Sequence, residues 1–330
     1  MSTRGETSTR TADRRPAQPE AVTPTLLRNW PLPGGGSGKD DRGSVLVIGG
    51  ARMTPGAALL AGVAALRSGA GRLTLAVAES VAVQLAVALP EGGVLALPEN
   101  KSGAVLGDGA ASVLGSLVES ADAVLIGPGL DDKDQATALL RELLAVPGGK
   151  KPPAIILDAF ALGSLPELAE ELGPWAGRLI LTPNVTEAGI LLGRNAEQLT
   201  RDVAELAEVY GAVVTCQGVI AGPGGAAGGP AGSGGADGGA KSRAEDRGGA
   251  PLWEITTGHS GLGTSGSGDV LSGTIAGLRA RGATDAQAAC WGTHLHASAG
   301  DRLASRLGGL GYLARELTEE LPPLMMELAS

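Results

Sequence analysis

Gly258-His259-Ser260-Gly261-Leu262-Gly263-Thr264-Ser265-Gly266-Ser267-Gly268-Asp269-Val270-Leu271-Ser272-Gly273 crowds small residues around one carboxylate, then passes at once into an apolar, Ala-rich helical pattern. Glycines and small side chains let backbone N–H groups approach an anion closely. A helix beginning near Val270 would aim its positive end at the same spot. Asp269 is then the only charge at the centre of an anion-receptive turn. A carboxylate there does not help to hold phosphate, so its functional reading is proton chemistry beside one. Its plain reading is a helix cap in a Gly-rich turn. The turn alone leaves both open.

Upstream of this turn, short apolar runs alternate with helical patterns. Ser44–Ile48 reads as a buried strand, followed by Gly49-Gly50 and a small-residue helix over 55–68. Arg72–Ala78 is the next strand. Ala123–Ile126 runs into Gly127-Pro128-Gly129 and a helix over 134–144. Ala154–Leu157 ends at Asp158, and 178–181 ends at Thr182-Pro183-Asn184. Strands that end in Gly, Asp or Pro-Asn just before a helix predict parallel βαβ units and an α/β fold. In such a sheet ligands sit beyond the carboxyl ends of the strands, where these polar residues gather. Residues 270–303 read as helical, with a break near Arg281-Gly282-Ala283.

Two tracts stand outside this pattern. Residues 1–40 are polar and punctuated by Pro16, Pro19, Pro24, Pro31 and Pro33, then by Gly34-Gly35-Gly36-Ser37-Gly38. They predict a disordered leader in front of one domain over 41–330. Residues 221–250 are Gly, Ala, Ser and Pro with almost no large apolar side chain, between strand patterns at 212–216 and 253–257. The expectation is a hairpin whose loop carries a disordered insertion, since long loops cost little.

Composition excludes several classes. Of 330 residues, 43% are hydrophobic and only 2% aromatic, so a substantial core must come from Ala, Val, Leu and Ile. The formal net charge of −9 argues against nucleic acid as the main partner, because no basic surplus exists to neutralise phosphates. Cys216 and Cys290 lie far apart and form neither a disulfide framework nor a zinc cluster. No run of 18 or more apolar residues predicts a membrane span. The amino terminus lacks the apolar stretch of a secretory signal, so a cytoplasmic enzyme is expected.

Neither a Gly-x-Gly-x-x-Gly fingerprint after the first strand nor a Gly-Lys-Ser/Thr loop occurs, which disfavours dinucleotide dehydrogenases and P-loop kinases. Gly127-Pro128-Gly129 suits a loop against a ligand or a plain turn. Asn184 could hydrogen-bond a polar ligand and Glu187 could help hold a hydrated Mg²⁺; either could equally cap the helix that starts there. His294 and His296 stand two apart on a helix pattern, point to different faces and make a poor metal pair.

Together these pieces resemble the ADP/ATP-dependent NAD(P)H-hydrate dehydratases of the ribokinase-like superfamily. The resemblance runs from about Arg42 to about Leu317. It rests on 43–50, on Pro55-Gly56-Ala57, on 66–71, on Leu89-Pro90-Glu91, on 126–130, on 157–162, on Leu181-Thr182-Pro183, on the Gly-Ser-Gly-Asp turn and on 296–301. It implies a three-layer α/β/α sandwich with a mostly parallel central sheet. It also implies repair of hydrated NADH or NADPH. The enzyme phosphorylates the hydrate's hydroxyl from ADP or ATP with Mg²⁺, and phosphate then eliminates.

By the same resemblance Asp269 is the general base and a substrate contact, and the amides of Gly266, Ser267 and Gly268 stabilise the transferring phosphoryl group. Ala57, Gly129 and Asn184 match positions that touch the hydrated cofactor. Gln217, Gly218, Val219, Ile220 and Ala221, with Gly268, match the nucleotide site. Three residues depart from the family's pattern: Asn184 stands for His, Gln217 for Lys and Phe160 for a second Asp. Family members are commonly homotetramers, and many bacterial ones carry an epimerase domain in front. That domain cannot fit into the leader, so the expectation is a dehydratase that works with a separate epimerase. The rival within the superfamily is a kinase for a vitamin precursor of hydroxyethylthiazole or pyridoxal type, with the same chemistry at Asp269.

Overall fold

The computed structural model describes residues 18–149, 151–224, 229 and 250–329. Its strands are β1 (Glu20–Ala21), β2 (Ser44–Ile48), β3 (Arg72–Ala78), β4 (Gly93–Leu97), β5 (Ala123–Ile126), β6 (Ala154–Leu157), β7 (Leu179–Leu181), β8 (Val213–Cys216), β9 (Val219–Ala221) and β10 (Leu252–Glu254). They form one sheet in the order β1-β10-β9-β8-β7-β6-β5-β2-β3-β4. From β2 to β8 all neighbours pair in parallel, whereas β9 is antiparallel to both β8 and β10.

Alternation along each strand fills two cores at once. Val45, Val47, Leu125 and Ile156 enter one, while Leu46, Ile48, Val124 and Ile155 enter the other. Helices cover both faces: α1 (Pro24–Asn29), α2 (Pro55–Arg67), α3 (Glu79–Ala88), α4 (Ala110–Ser120), α5 (Lys133–Leu144), α6 (Phe160–Leu168), α7 (Val185–Leu192), α8 (Leu199–Tyr210), α9 (Ser267–Ala280), α10 (Asp285–Leu307) and α11 (Ala314–Ala329). Side chains of α2, α9, α10 and α11 join the first core, and those of α4 to α8 join the second. The result is the expected three-layer α/β/α sandwich with a mostly parallel sheet. No helix among the described residues is long and apolar enough to cross a membrane.

Glycines set the depth at which α9 lies. A Cβ added at Gly273 would stand 2.1 Å from the Ala61 carbonyl oxygen, and one at Gly277 would stand 2.3 Å from that of Ala65. Spaced one turn apart, they let α2 and α9 pack backbone to backbone. The first turn of α9 thereby comes to the carboxyl ends of the central strands.

Two expectations need correction. The leader does not extend to residue 40, because β1 pairs with β10 and α1 is folded onto the body. Pro24 is a helix-starting residue at the head of α1, and Thr23 caps it by accepting from the Leu26 N–H at 3.2 Å. Leu27 is fully buried, and the carbonyl of Trp30 accepts from Trp291 Nε1 at 2.9 Å and Gln287 Nε2 at 3.0 Å. Residues 1–17 lie outside the described residues. The expected hairpin is also different: β9 lies between the two strands, joined to β8 by the two-residue turn Gln217-Gly218. Both turn residues have positive φ, +44° and +86°, as the twist of a tight hairpin demands. The insertion therefore follows β9, and its residues 225–228 and 230–249 lie outside the described residues.

Candidate active site

The carboxyl ends of β2, β5, β6, β7 and β8 and the first turn of α9 meet along one edge of the sheet. Gly50 N–H donates to the Pro128 carbonyl and Ala51 N–H to that of Gly129, each at 2.8 Å, so the loops after β2 and β5 are stitched together. Thr54 Oγ1 adds a 2.8 Å bond to the Gly129 carbonyl. Gly129 has φ +73°, and a Cβ there would meet the Thr54 carbonyl at 2.3 Å and Ala57 Cβ at 3.0 Å. Two predicted substrate positions, Ala57 and Gly129, are thus neighbours, and only a glycine fits the second.

At the end of β6 stands Asp158, buried at 5% exposure and accepting from Thr182 Oγ1 at 2.8 Å. Burial, then the nearby Asp269 carboxylate, pushes Asp158 up to about 7. Ser272, one turn along α9, and Thr182 pull weakly the other way by hydrogen bonding. Burial also raises Asp269, to about 6. The two carboxylates therefore share a poorly hydrated space. Glu187 faces it as well: it adds to the field on Asp158 and on Cys216, and is itself raised by burial. Asp158 was not picked out from the sequence as a site residue. The signal was a lone acid closing an all-apolar strand.

The start of α9 departs from an ordinary capped helix. Gly266 occupies the cap position at φ +89° and offers no side-chain acceptor. Ser267 N–H turns back to the Thr264 carbonyl at 3.2 Å, so it is not free for an anion. Among the described residues, the Gly268 and Asp269 N–H groups meet no acceptor. Gly268 is exposed, and a Cβ on it would meet nothing within 4 Å. Of the three amides expected to form an anion hole, at Gly266, Ser267 and Gly268, that of Ser267 is already bonded within the turn.

Asn184 and Glu187 form a reciprocal capping box at the head of α7. Asn184 Oδ1 accepts from Glu187 N–H and Glu187 Oε2 accepts from Asn184 N–H, both at 2.9 Å. The cap is real, yet it leaves the Asn184 amide NH₂ and one Glu187 oxygen for a ligand. Gln217 is exposed at the β8–β9 turn, beside Gly218. Val219, Ile220 and Ala221 are strand residues with side chains in the two cores. Of that predicted nucleotide stretch, only Gln217 is exposed.

No group of three His, Cys, Asp or Glu side chains forms a ready metal cage among the described residues. Asp158 and Glu187 nonetheless make a fitting pair of hard oxygen donors for Mg²⁺, which keeps several waters and takes only one or two carboxylates. His294 and His296 are buried in α10 and bring no metal set together. Cys216 and Cys290 are buried and free.

A carboxylate raised by burial beside unbonded helix-end amides can deprotonate a hydroxyl and stabilise a phosphoryl group moving onto it. Comparison with known proteins agrees with that chemistry. A family model described as NAD(P)H-hydrate dehydratase matches residues 45–228 and 241–323. The chain is 38% identical over 314 residues to the ADP-dependent (S)-NAD(P)H-hydrate dehydratase of Xanthomonas campestris, covering 93% of this chain and 96% of that one. It is 35% identical to the bifunctional NAD(P)H-hydrate repair enzyme of Moorella thermoacetica, covering 87% of this chain and 50% of that protein, so it spans half of that bifunctional relative's length. In structure it resembles the ADP/ATP-dependent NAD(P)H-hydrate dehydratase of Bacillus subtilis, with a TM-score of 0.68 at 24% identity over 94% of this chain and 98% of that one. A ribokinase-like superfamily protein of Enterococcus faecalis superposes with a TM-score of 0.72 at 22% identity, over 94% and 96% of the two chains. The chain has the ribokinase-like fold and belongs to the NAD(P)H-hydrate dehydratase family.

Proposed function

We propose that this protein restores NADH and NADPH from the S form of their hydrates at the expense of ADP. The observation that supports this reading best is the burial-raised Asp269 carboxylate on an uncapped helix end, close enough to Asp158 to raise that group. Asp269 takes the proton from the hydrate's ring hydroxyl as that oxygen attacks the terminal phosphorus of ADP. The bond from phosphorus to the leaving oxygen breaks, releasing AMP. The Gly268 and Asp269 amides stabilise the charge spread over the phosphoryl oxygens. Phosphate then leaves the ring carbon with its bonding electrons, the neighbouring carbon loses a proton and the ring double bond returns. The balance is hydrate plus ADP to dinucleotide, AMP and phosphate.

Asp158 and Glu187 would hold Mg²⁺, which when bound neutralises phosphate charge. The Asn184 amide and the Gly129 and Ala57 surfaces orient the hydrated ring, and Gln217-Gly218 borders the donor nucleotide. With Gln217 in place of a lysine, the donor's phosphates are gripped by backbone amides and metal instead of a fixed positive side chain. In this reading the enzyme is a cytoplasmic homotetramer, and an epimerase converts the other form of the hydrate.

The test is product analysis by mass spectrometry after incubation with hydrated NADH, ADP and Mg²⁺. NADH, AMP and phosphate in equal amounts are expected. A stable phosphorylated hydroxyethylthiazole or pyridoxal, with no NADH from the hydrate, would establish the vitamin-precursor kinase instead.

A further inference from the structure

At the cap position of a helix, Ser, Thr, Asp or Asn usually accepts from the second or third N–H of the helix. In α9 those N–H groups belong to Gly268 and Asp269, and Gly266 leaves them uncapped. The turn must then be fixed from elsewhere. Ser267, the first residue of α9, turns its hydroxyl away from these amides and meets His296 Nε2 on α10 at 2.8 Å. Both residues are buried, at 4% and 8% exposure. Burial holds the imidazole down to about 4, so it stays neutral and adds no charge behind the phosphoryl site.

Two further anchors lie on α10. Thr293 Oγ1 lies 3.0 Å from Thr215 Oγ1 on β8, two residues before Gln217. Asp301 Oδ2 accepts from Gly258 N–H at 2.9 Å, at the start of the glycine-rich segment. One helix thus ties together the β8 turn, the approach to α9 and the first turn of α9.

We propose that His296 is a positioning residue for phosphoryl transfer: through Ser267 it fixes the first turn of α9 from behind, so that the Gly268 and Asp269 amides remain open toward the transferring group. The proposal rests on the dehydratase reading above. The bond serves the transition state because it sets where the amides point, not what the pocket binds. Its loss should therefore lower kcat more than it raises KM.

The test uses the full chain with hydrated NADH, ADP and Mg²⁺, and compares H296A, S267A, the double variant, H296Q and D269N by steady-state kinetics and thermal unfolding. H296A and S267A are each expected to lower kcat about tenfold, with KM for the hydrate within about twofold. The double variant should be no worse than the worse single one, because both remove the same bond. H296Q should recover most of kcat, since a glutamine amide can meet the Ser267 hydroxyl. An unchanged kcat in H296A would overturn the proposal. So would a loss that H296Q does not rescue and that merely follows a fall in Tm. If D269N is inactive while H296A is normal, only the positioning role fails. If wild type itself forms no NADH from the hydrate, the dehydratase reading fails and the positioning role with it.

Discussion

Asp269 lies in the first turn of α9, where the helix-end field should favour its ionised form. That field is worth about 0.3–1 kcal/mol, less than the roughly 1.4 kcal/mol that moves a pKa by one. Burial outweighs it and brings the group up to about 6, with Asp158 next to it at about 7. A base must be unprotonated, so the rate is expected to fall as pH drops through 7 to 6; a pH–rate profile flat from pH 8 to pH 5 would refute this. The slope should be shallow, because the pair titrates together. Stability runs the opposite way. Both pKa values are raised above the unfolded value near 3.8, so the contribution of these groups is full below that pH and lost as pH rises through 6 and 7. At pH 8, D158N and D269N should therefore raise Tm, by roughly 2 °C each, in thermal unfolding. Asp269 was legible because its turn surrounds it in sequence. Asp158 was not, because its partners Thr182, Ser272 and Asp269 come from the loop after β7 and from α9, and only the fold assembles them.

Among the elements, β2, β3, β5, β6 and β7 were legible from apolar runs, most of them closed by Gly, Asp or Pro-Asn, and the break between α9 and α10 from Gly282; β4 was not picked out. The short strand β9 was not: three residues after a tight turn carry no periodicity, and pairing on both sides defines them. Nor was the role of the glycines inside α9, since pattern alone reads them as weak points of a helix. Their packing makes a contrast that calorimetry or urea unfolding can check. Replacing Gly273 by Ala must push the Ala61 carbonyl away and should cost about 1–3 kcal/mol. Replacing Gly115 of α4, where an added Cβ meets nothing within 4 Å, should instead stabilise by about 0.5–1 kcal/mol. Equal effects at the two positions would contradict the account of how α9 reaches the site.

For the whole molecule, the sheet divides one chain between two cores, and its carboxyl edge collects the chemistry. The amino-terminal segment belongs to this body, although its prolines and glycines read as a leader. Its large apolar side chains are Val22, Leu26, Leu27, Trp30 and Leu32, too few to show a period until the first core receives them. L27A should therefore cost about 2–5 kcal/mol in equilibrium unfolding, the price of emptying a fully buried leucine site; a neutral effect would return the segment to the status of a leader. The family membership, the burial at the strand ends and the unbonded amides converge on one group, the Asp269 carboxylate. The most direct measurement is the rate of NADH formation from the S form of hydrated NADH with ADP at pH 8, wild type against D269N, with ADP binding followed in parallel. The account predicts that D269N binds ADP but forms NADH at least about 100-fold more slowly. A near-wild-type rate in D269N would contradict it.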